Sequence, residues 1–408
     1  MSNKLLVTSG YYPKFEQMNI ALADLAQHRT KLFPFTLTRP IADLRVGILT
    51  IREKWERHLR QRIDFLADSE LQVKYQLPNH NIELIINGAV CPSVDLVQAI
   101  QKLNDNELLR KGDLFIAARG SFHPKEEEIN LKGFTLNEYQ PDCIVINRSW
   151  DLFGQNKSQI AADFELLTHG RKSEEINDPH TIVYARENVF LEEGVDIKAA
   201  ILNAEEGPIY LAKNSIVQEG ATIRGPFALG ENSRINMNAK IREGVTIGPN
   251  CKIGGEVSNS IVYGNSNKAH DGYLGNAVVG EWCNLGADTN NSNLKNNYDE
   301  VKAYDFETGD FIKTGLQFCG LFMGDHSKTA INTGINTGTT IGVNANVFGS
   351  GFPPTFIPSF SWGGGDNIKT YKIEKALETA RKVWARKNIS DTEADEIILK
   401  TIFDRSTK

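Results

Sequence analysis

Hydrophobic positions along this chain change their period twice. Over residues 1–180, strand-length apolar runs at 19–23, 82–86, 114–118 and 143–146 alternate with helix-like segments. Thr50 with Glu53 forms a capping-box pair ahead of Trp55, Leu59 and Ile63, and Ser93 opens a second helix. Strands alternating with helices predict an α/β domain built on a largely parallel, doubly wound sheet. The charged and mixed residues 155–188 read as the connection to the next region of the chain.

From about residue 181 a period of six takes over. Leu229, Ile235, Ile241, Ile247 and Ile253 keep it without a break, Val189, Val195 and Ile201 carry it upstream, and Ile335, Ile341 and Val347 resume it downstream. A half-buried strand gives a period of two and a helix 3.6, so a strict six predicts a parallel β-helix whose aliphatic side chains stack inward. Glycine agrees: 26 of the 34 glycines fall in 181–365, eight in 1–180 and none in 366–408. Asparagine crowds the same middle region, and both residues tolerate the positive φ that tight turns need. The hexads fail from Asp288 to about Ser327, where 301–313 reads as a hairpin leaving the coil. Insertions in a solenoid often gather on its binding face.

Residues 366–408 hold neither Gly nor Pro. Ile373, Leu377, Ala380 and Trp384 share one helical face, and Ser390 with Glu393 opens a second helix. These helices are expected to cover the open end of the solenoid. Three regions result: an α/β domain at 1–180, a β-helix at 181–365 and terminal helices at 366–408.

The charge balance narrows the partners. A formal net charge of −6 over 408 residues gives no support to nucleic acid as a partner. No apolar run approaches the 18 or so residues that a membrane helix needs, and the amino terminus lacks a secretory apolar stretch. Five scattered cysteines without a Cys-x-x-Cys pair predict reduced thiols and a cytoplasmic protein.

The β-helix region contains two histidines, His270 and His326. His270 stands out because Lys268-Ala-His-Asp-Gly-Tyr-Leu-Gly275 lies where the hexads break, and an imidazole there could take a proton from an attacking amine or hydroxyl. A hydrogen-bonded structural histidine is the plain alternative. Two solenoid histidines are too few for a three-histidine zinc site within one chain.

With these residues in place, the sequence resembles the bifunctional N-acetylglucosamine-1-phosphate uridyltransferase/glucosamine-1-phosphate acetyltransferases and their archaeal relatives. Lys268-Ala-His270 with Tyr273-Leu-Gly275 resembles their acetyltransferase histidine motif. Asn284 matches a substrate-contacting asparagine, Asn293 in Asn293-Leu-Lys295 falls where they have an Asn-Tyr-Asp or Asn-Leu-Arg turn, and Arg242 resembles an arginine that binds the sugar phosphate. The resemblance implies a nucleotide-diphospho-sugar-transferase-like sheet followed by a left-handed β-helix, and a homotrimer with acetyl-CoA in the groove between subunits. His270 is then the general base, and Lys328 and Thr329 contact the coenzyme. A family lysine expected near Ser258-Asn259 is absent.

The first domain departs from that pattern. It lacks the glycine-rich phosphate loop, and Asn87-Gly88-Ala89 stands where the family's magnesium carboxylate falls. The Thr-Arg-Pro block and its continuation to Trp55 resemble an alternative bacterial branch and supply Arg39, Arg45 and Lys54 as candidate phosphate ligands. Asn147 and Asp151 fall in a segment like the second metal-binding one, as candidate magnesium contacts. Local ion pairs with Asp43 and Glu53 are the plain alternative for the arginines.

The expectation is therefore a transferase of cell-wall precursor biosynthesis. It acetylates an amino-sugar 1-phosphate with acetyl-CoA and joins the product to a nucleoside triphosphate with magnesium. The alternatives are an acyltransferase whose first domain only binds a nucleotide sugar, and a non-enzymatic hexapeptide scaffold.

Overall fold

A computed structural model describes residues 17–126, 129–365 and 367–406. The amino-terminal stretch weighed as a secretory signal lies outside them. The first sheet has the spatial order Asp64–Leu66, Ile20–Ala23, Ile82–Asn87, Leu114–Phe122, Glu107–Lys111, Thr135–Glu138. Its first three strands are parallel, and Glu107–Lys111 is also parallel to Thr135–Glu138. The two remaining pairings are antiparallel, so the sheet is mixed. Helix Ile51–Leu59 starts at the Thr50/Glu53 capping box, and Val94–Gln101 starts where Ser93 Oγ accepts from Leu96 N.

The solenoid is a left-handed parallel β-helix with three faces. Nine strands from Val189–Leu191 to Phe356–Ile357 form the first face. Strands from Asp196–Ile197 to Ser361–Trp362 form the second, and those from Ile182–Tyr184 to Tyr273–Gly275 form the third. Leu211, Val217, Ile223, Leu229, Ile235, Ile241, Ile247 and Ile253 point inward in unbroken hexads, none more than 2% exposed. Upstream Val189 is buried in the core and Val195 packs against it, but the phase then slips. Leu191, Ile197 and Leu202 fill the core while Ile201 is 38% exposed, because corners of unequal length shift the count.

Residues 155–188 are less of a connection than expected. Helix Ser149–Thr168 occupies much of this stretch and lies along the first face. Phe153 stacks on Phe322 at 6.2 Å, and Asn156 Nδ2 donates to Gly244 O at 2.9 Å. Ile261, Tyr263, Val278 and Phe322 of that face join one continuous core with Trp55, Ile86 and Phe153. Each such large side chain contributes about 1.5–3 kcal/mol by leaving water. The sheet domain is thus packed onto the side of the solenoid.

The hairpin Lys302–Asp305 with Asp310–Lys313 leaves the coil as expected. It joins that seam: Asp305 accepts from Arg148 Nη1 at 2.8 Å, and Phe306 meets Phe33 edge-on at 5.6 Å. The terminal helices Ile373–Ala385 and Glu393–Ser406 also differ from expectation. The last coil's strand Ser361–Trp362 is covered by Lys369–Thr370, and the helices turn back along the side. There Trp384 meets His326 edge-on, and Leu377, Ala380 and Ile402 share a core with Phe33, Leu37 and Leu71 of the first domain.

Candidate functional site

Strand Asn267–Lys268 on the second face runs through a corner into Tyr273–Gly275 on the third, and His270 sits exposed on that corner. Two side chains pin the main chain that carries it. Asn236 Nδ2 donates to Ala269 O at 2.7 Å, and Lys268 Nζ donates to His270 O at 2.8 Å.

The third face brings together three of the expected residues. Asn293 Nδ2 donates to the Tyr273 hydroxyl at 3.0 Å and to Asn276 Oδ1 at 2.7 Å, while Asn290 Oδ1 accepts from Tyr273 N at 2.7 Å. Burial, aided by nearby Glu256, raises the Tyr273 hydroxyl above its ordinary value, so it stays a neutral donor. Glu256 pairs with Tyr273 in register and lies 3.5 Å from Arg242, whose guanidinium is largely exposed. Glu256 went unrecognised in the sequence, where a lone glutamate in a hexad reads as an ordinary outward residue.

Asn284 lies on the second face, exposed and in register with Asn267 and Lys328. The corner bearing His270 thus has Tyr273, Asn293 and Arg242 on one side and Asn284 on the other. Lys328 is half-buried and donates to His326 O at 2.8 Å, and burial lowers its ammonium's pKa. Thr329 requires a correction. It points into the coil, where its hydroxyl meets Thr289 Oγ1 at 2.8 Å and accepts from Gly286 N at 3.1 Å, so its side chain does not face an outer groove.

The candidate phosphate ligands of the first domain are likewise turned inward. Arg39 is 7% exposed, ion-paired with Asp325 and with Glu281, and its guanidinium lies 5.0 Å from the Tyr263 ring centre. Arg45 donates from Nη1 to Ile48 O, and its backbone N donates to the Tyr263 hydroxyl at 2.8 Å. Lys54, 2% exposed, is paired with Asp163, whose carboxylate also accepts from Ile48 N and Leu49 N. The cations of Arg39 and Lys54 serve as interior ties, and that of Arg39 reaches the solenoid, while the Arg45 guanidinium stays within the first domain. The carboxylate partners of Arg39 and Lys54 lie more than 100 positions away, beyond any local pattern, whereas Arg45 lies 3.8 Å from Glu53, the local pair that was the plain alternative.

Magnesium does not fit the expected pair. Asp151 Oδ2 accepts from Asn147 N and Arg148 N, both at 2.8 Å, which caps helix Ser149–Thr168. Both N–H groups are met by the one oxygen Oδ2, and burial raises this carboxyl's pKa. Among the described residues no cluster of three or more His, Cys, Asp or Glu could hold a metal. The carboxyl ends of the central strands are filled instead by Asn87, fully buried, with His28 Nε2 3.3 Å from its amide nitrogen. Burial lowers the His28 pKa and keeps the imidazole neutral. A lone histidine after the first strand gave no signal for this in the sequence.

The four most buried cysteines, Cys91, Cys251, Cys283 and Cys319, are free thiols whose pKa burial pushes up, and Cys143 is free and partly buried. Among the described residues no helix is long and apolar enough to cross a membrane.

The structure thus sets a mixed-sheet domain against a three-faced parallel β-helix, with a polar corner around the exposed His270. The sugar nucleotidyl transferase family matches residues 20–172, and the bacterial transferase hexapeptide family matches residues 229–257. The chain therefore joins a sugar nucleotidyl transferase domain to hexapeptide repeats. It is 27% identical to a bifunctional sugar-1-phosphate nucleotidylyltransferase/acetyltransferase of Sulfurisphaera tokodaii over 62% of this chain and 57% of that relative. It is 43% identical to the bifunctional protein GlmU of Trichodesmium erythraeum over 16% of this chain and 13% of that relative. The chain thus spans little more than half of the first relative's length and a small part of the second's.

Among solved structures, the polysialic acid-specific acetyltransferase NeuO superposes with a TM-score of 0.28 at 12% identity. That match covers 51% of this chain and 96% of the other. The UDP-N-acetylglucosamine acyltransferase of Campylobacter jejuni gives 0.22 at 13% identity, over 56% and 93%. Both scores are too low to carry an argument.

Proposed function

We propose that the solenoid transfers an acetyl group from acetyl-CoA to the amine of an amino-sugar 1-phosphate, with His270 as general base. The observation that carries this reading is the corner itself: an exposed imidazole on a pinned main chain, flanked on both faces by amide and phenol groups. The amine attacks the thioester carbonyl, and His270 accepts the amine proton as the C–N bond forms. Collapse of the tetrahedral adduct breaks the C–S bond, and the imidazolium returns its proton to the departing coenzyme thiolate. Backbone N–H groups of a neighbouring coil hold the oxyanion. Tyr273, Asn293 and Asn284 orient the sugar, and Arg242 leaves Glu256 to bind the phosphate. Lys328 offers a cation to the coenzyme, and a homotrimer encloses the groove. Coenzyme thiol release on adding glucosamine 1-phosphate and acetyl-CoA tests the reading, and no release over background contradicts it.

A second activity, nucleotidyl transfer from a triphosphate to a sugar 1-phosphate, is favoured by the family match over residues 20–172. The inward-turned cations and the capping role of Asp151 support its alternative, a first domain that binds a nucleotide sugar and fixes the solenoid without transferring a nucleotide. We place the whole in the cytoplasmic synthesis of an activated amino sugar for the cell wall.

A further inference from the structure

Lys268 breaks the pattern of the solenoid core. It pairs in register with Ile253 and takes the inward position that Ile235, Ile253 and Leu285 hold in neighbouring coils, yet it is only 1% exposed. An ammonium in an aliphatic stack is unfavourable unless its donors are met. Here they meet backbone carbonyls: Nζ donates to Gly254 O at 3.0 Å and to His270 O at 2.8 Å. The carboxylates of Asp271 and Asp288 favour its charged form through space, while burial lowers its pKa to about 8.

The space for this ammonium comes from a shortened corner. Arg234 and Lys240 are six positions apart, as are Asn267 and Tyr273, whereas Lys252 and Glu256, which lie in register between them, are four apart. The missing two residues leave the tight turn Gly254-Gly255. Gly255 has φ +71°, and a Cβ there would fall 2.6 Å from Gly272 O and 2.7 Å from Lys268 Nζ. The glycine pair, the short corner and the buried lysine are thus one construction, and its outer end is the His270 carbonyl.

Resting on the acyl-transfer reading, we propose that Lys268 is the positioning residue for His270. Its ammonium ties the backbone of the histidine corner to the preceding coil and so fixes where the imidazole stands. A core built for stability alone would carry an aliphatic residue here, as the neighbouring coils do.

The test is Lys268→Met, which keeps the length and removes the donor, beside Lys268→Gln, which keeps one donor. Amide hydrogen exchange at Ala269–Gly272 is read in the full chain without substrate, so it does not depend on the acyl-transfer reading. Lys268→Met is expected to speed exchange there by about tenfold or more while exchange in the coil at 211–229 stays unchanged. In the thiol-release assay its kcat is expected to fall by about tenfold with KM within about twofold, and Lys268→Gln to recover part of both. Unchanged exchange in Lys268→Met overturns the proposal whether or not the wild type acetylates. Faster exchange with unchanged kcat in an active enzyme overturns it too. If Lys268→Met does not fold, Lys268→Gln is compared with wild type by the same two criteria.

Discussion

Arg39 of the sheet domain and Asp325 of the solenoid form a buried ion pair across 286 positions of sequence. Thr38 Oγ1 donates to the same carboxylate at 2.7 Å, and Asp325 also accepts from Glu281 N at 2.8 Å. The two modules are therefore joined by charge as well as by the aromatic packing of Phe35 on Tyr263 and Phe153 on Phe322.

Removing one partner should show that this tie is structural. Arg39→Met leaves Asp325 and Glu281 facing each other with the compensating cation gone, and is expected to lower unfolding stability by about 3–5 kcal/mol. Arg39→Met with Asp325→Leu is expected to recover most of that loss. Urea unfolding measures both, and a single substitution costing under about 1 kcal/mol contradicts the assignment.

Magnesium gives a second test of the first domain. The Asp151 carboxylate is committed to backbone N–H groups and the strand ends hold His28 and Asn87, so added magnesium is expected to leave the melting temperature unchanged. A first domain that only binds a nucleotide sugar predicts that pyrophosphate release from common nucleoside triphosphates with a sugar 1-phosphate stays at background. Magnesium-dependent release would restore nucleotidyl transfer and send the search for its donors to residues other than Asn147 and Asp151.

Lys268 should leave a signature in stability against pH. Its folded pKa of about 8 lies below its unfolded value near 10.4, so the unfolded chain binds the extra proton between these limits. Stability from this group therefore rises with pH across that window. The cost of burying the charge is present in full below about pH 8 and relieved near 10.4, on the order of 3 kcal/mol. Lys268→Met is expected to be more stable than wild type at pH 7, with the difference shrinking towards pH 10. Parallel melting curves of constant offset contradict the shift.

Tyr273→Phe removes the oxygen that accepts from Asn293 while the Asn293–Asn276 bond at 2.7 Å remains. Unfolding stability is expected to change by under about 1 kcal/mol, and kcat/KM for acetyl transfer to fall by about tenfold. An unaltered kcat/KM removes Tyr273 from the site.

The hexads from Leu229 to Ile253 were legible because every corner between them has the same length. Beyond Ile253 the Gly254-Gly255 turn slips the phase, so Val257, Val262 and Lys268 lose the period although they continue the same inward rows. That slip is why a buried lysine looked like an ordinary motif residue. His270 is marked by its place at the break in the hexads, whereas Tyr273 and Asn293 are marked only by their resemblance to the family's motif. For Arg45 the local alternative, a pair with Glu53, holds, but the partners of Arg39 and Lys54 were not legible, since a cation's role depends on what faces it. Asp325 and Tyr263 come from coils whose stacking on the first domain has no local trace. The place of the terminal helices was hidden for the same reason: the amphipathic face of Ile373–Ala385 shows that it packs, not on what.

The most direct measurement is acetyl-CoA turnover by His270→Ala with glucosamine 1-phosphate, followed by thiol release. His270 is exposed on its corner, so the variant should keep the wild-type melting temperature. The account predicts a fall in kcat of about 10²–10⁴-fold. Turnover within about threefold of wild type in a folded His270→Ala protein contradicts it.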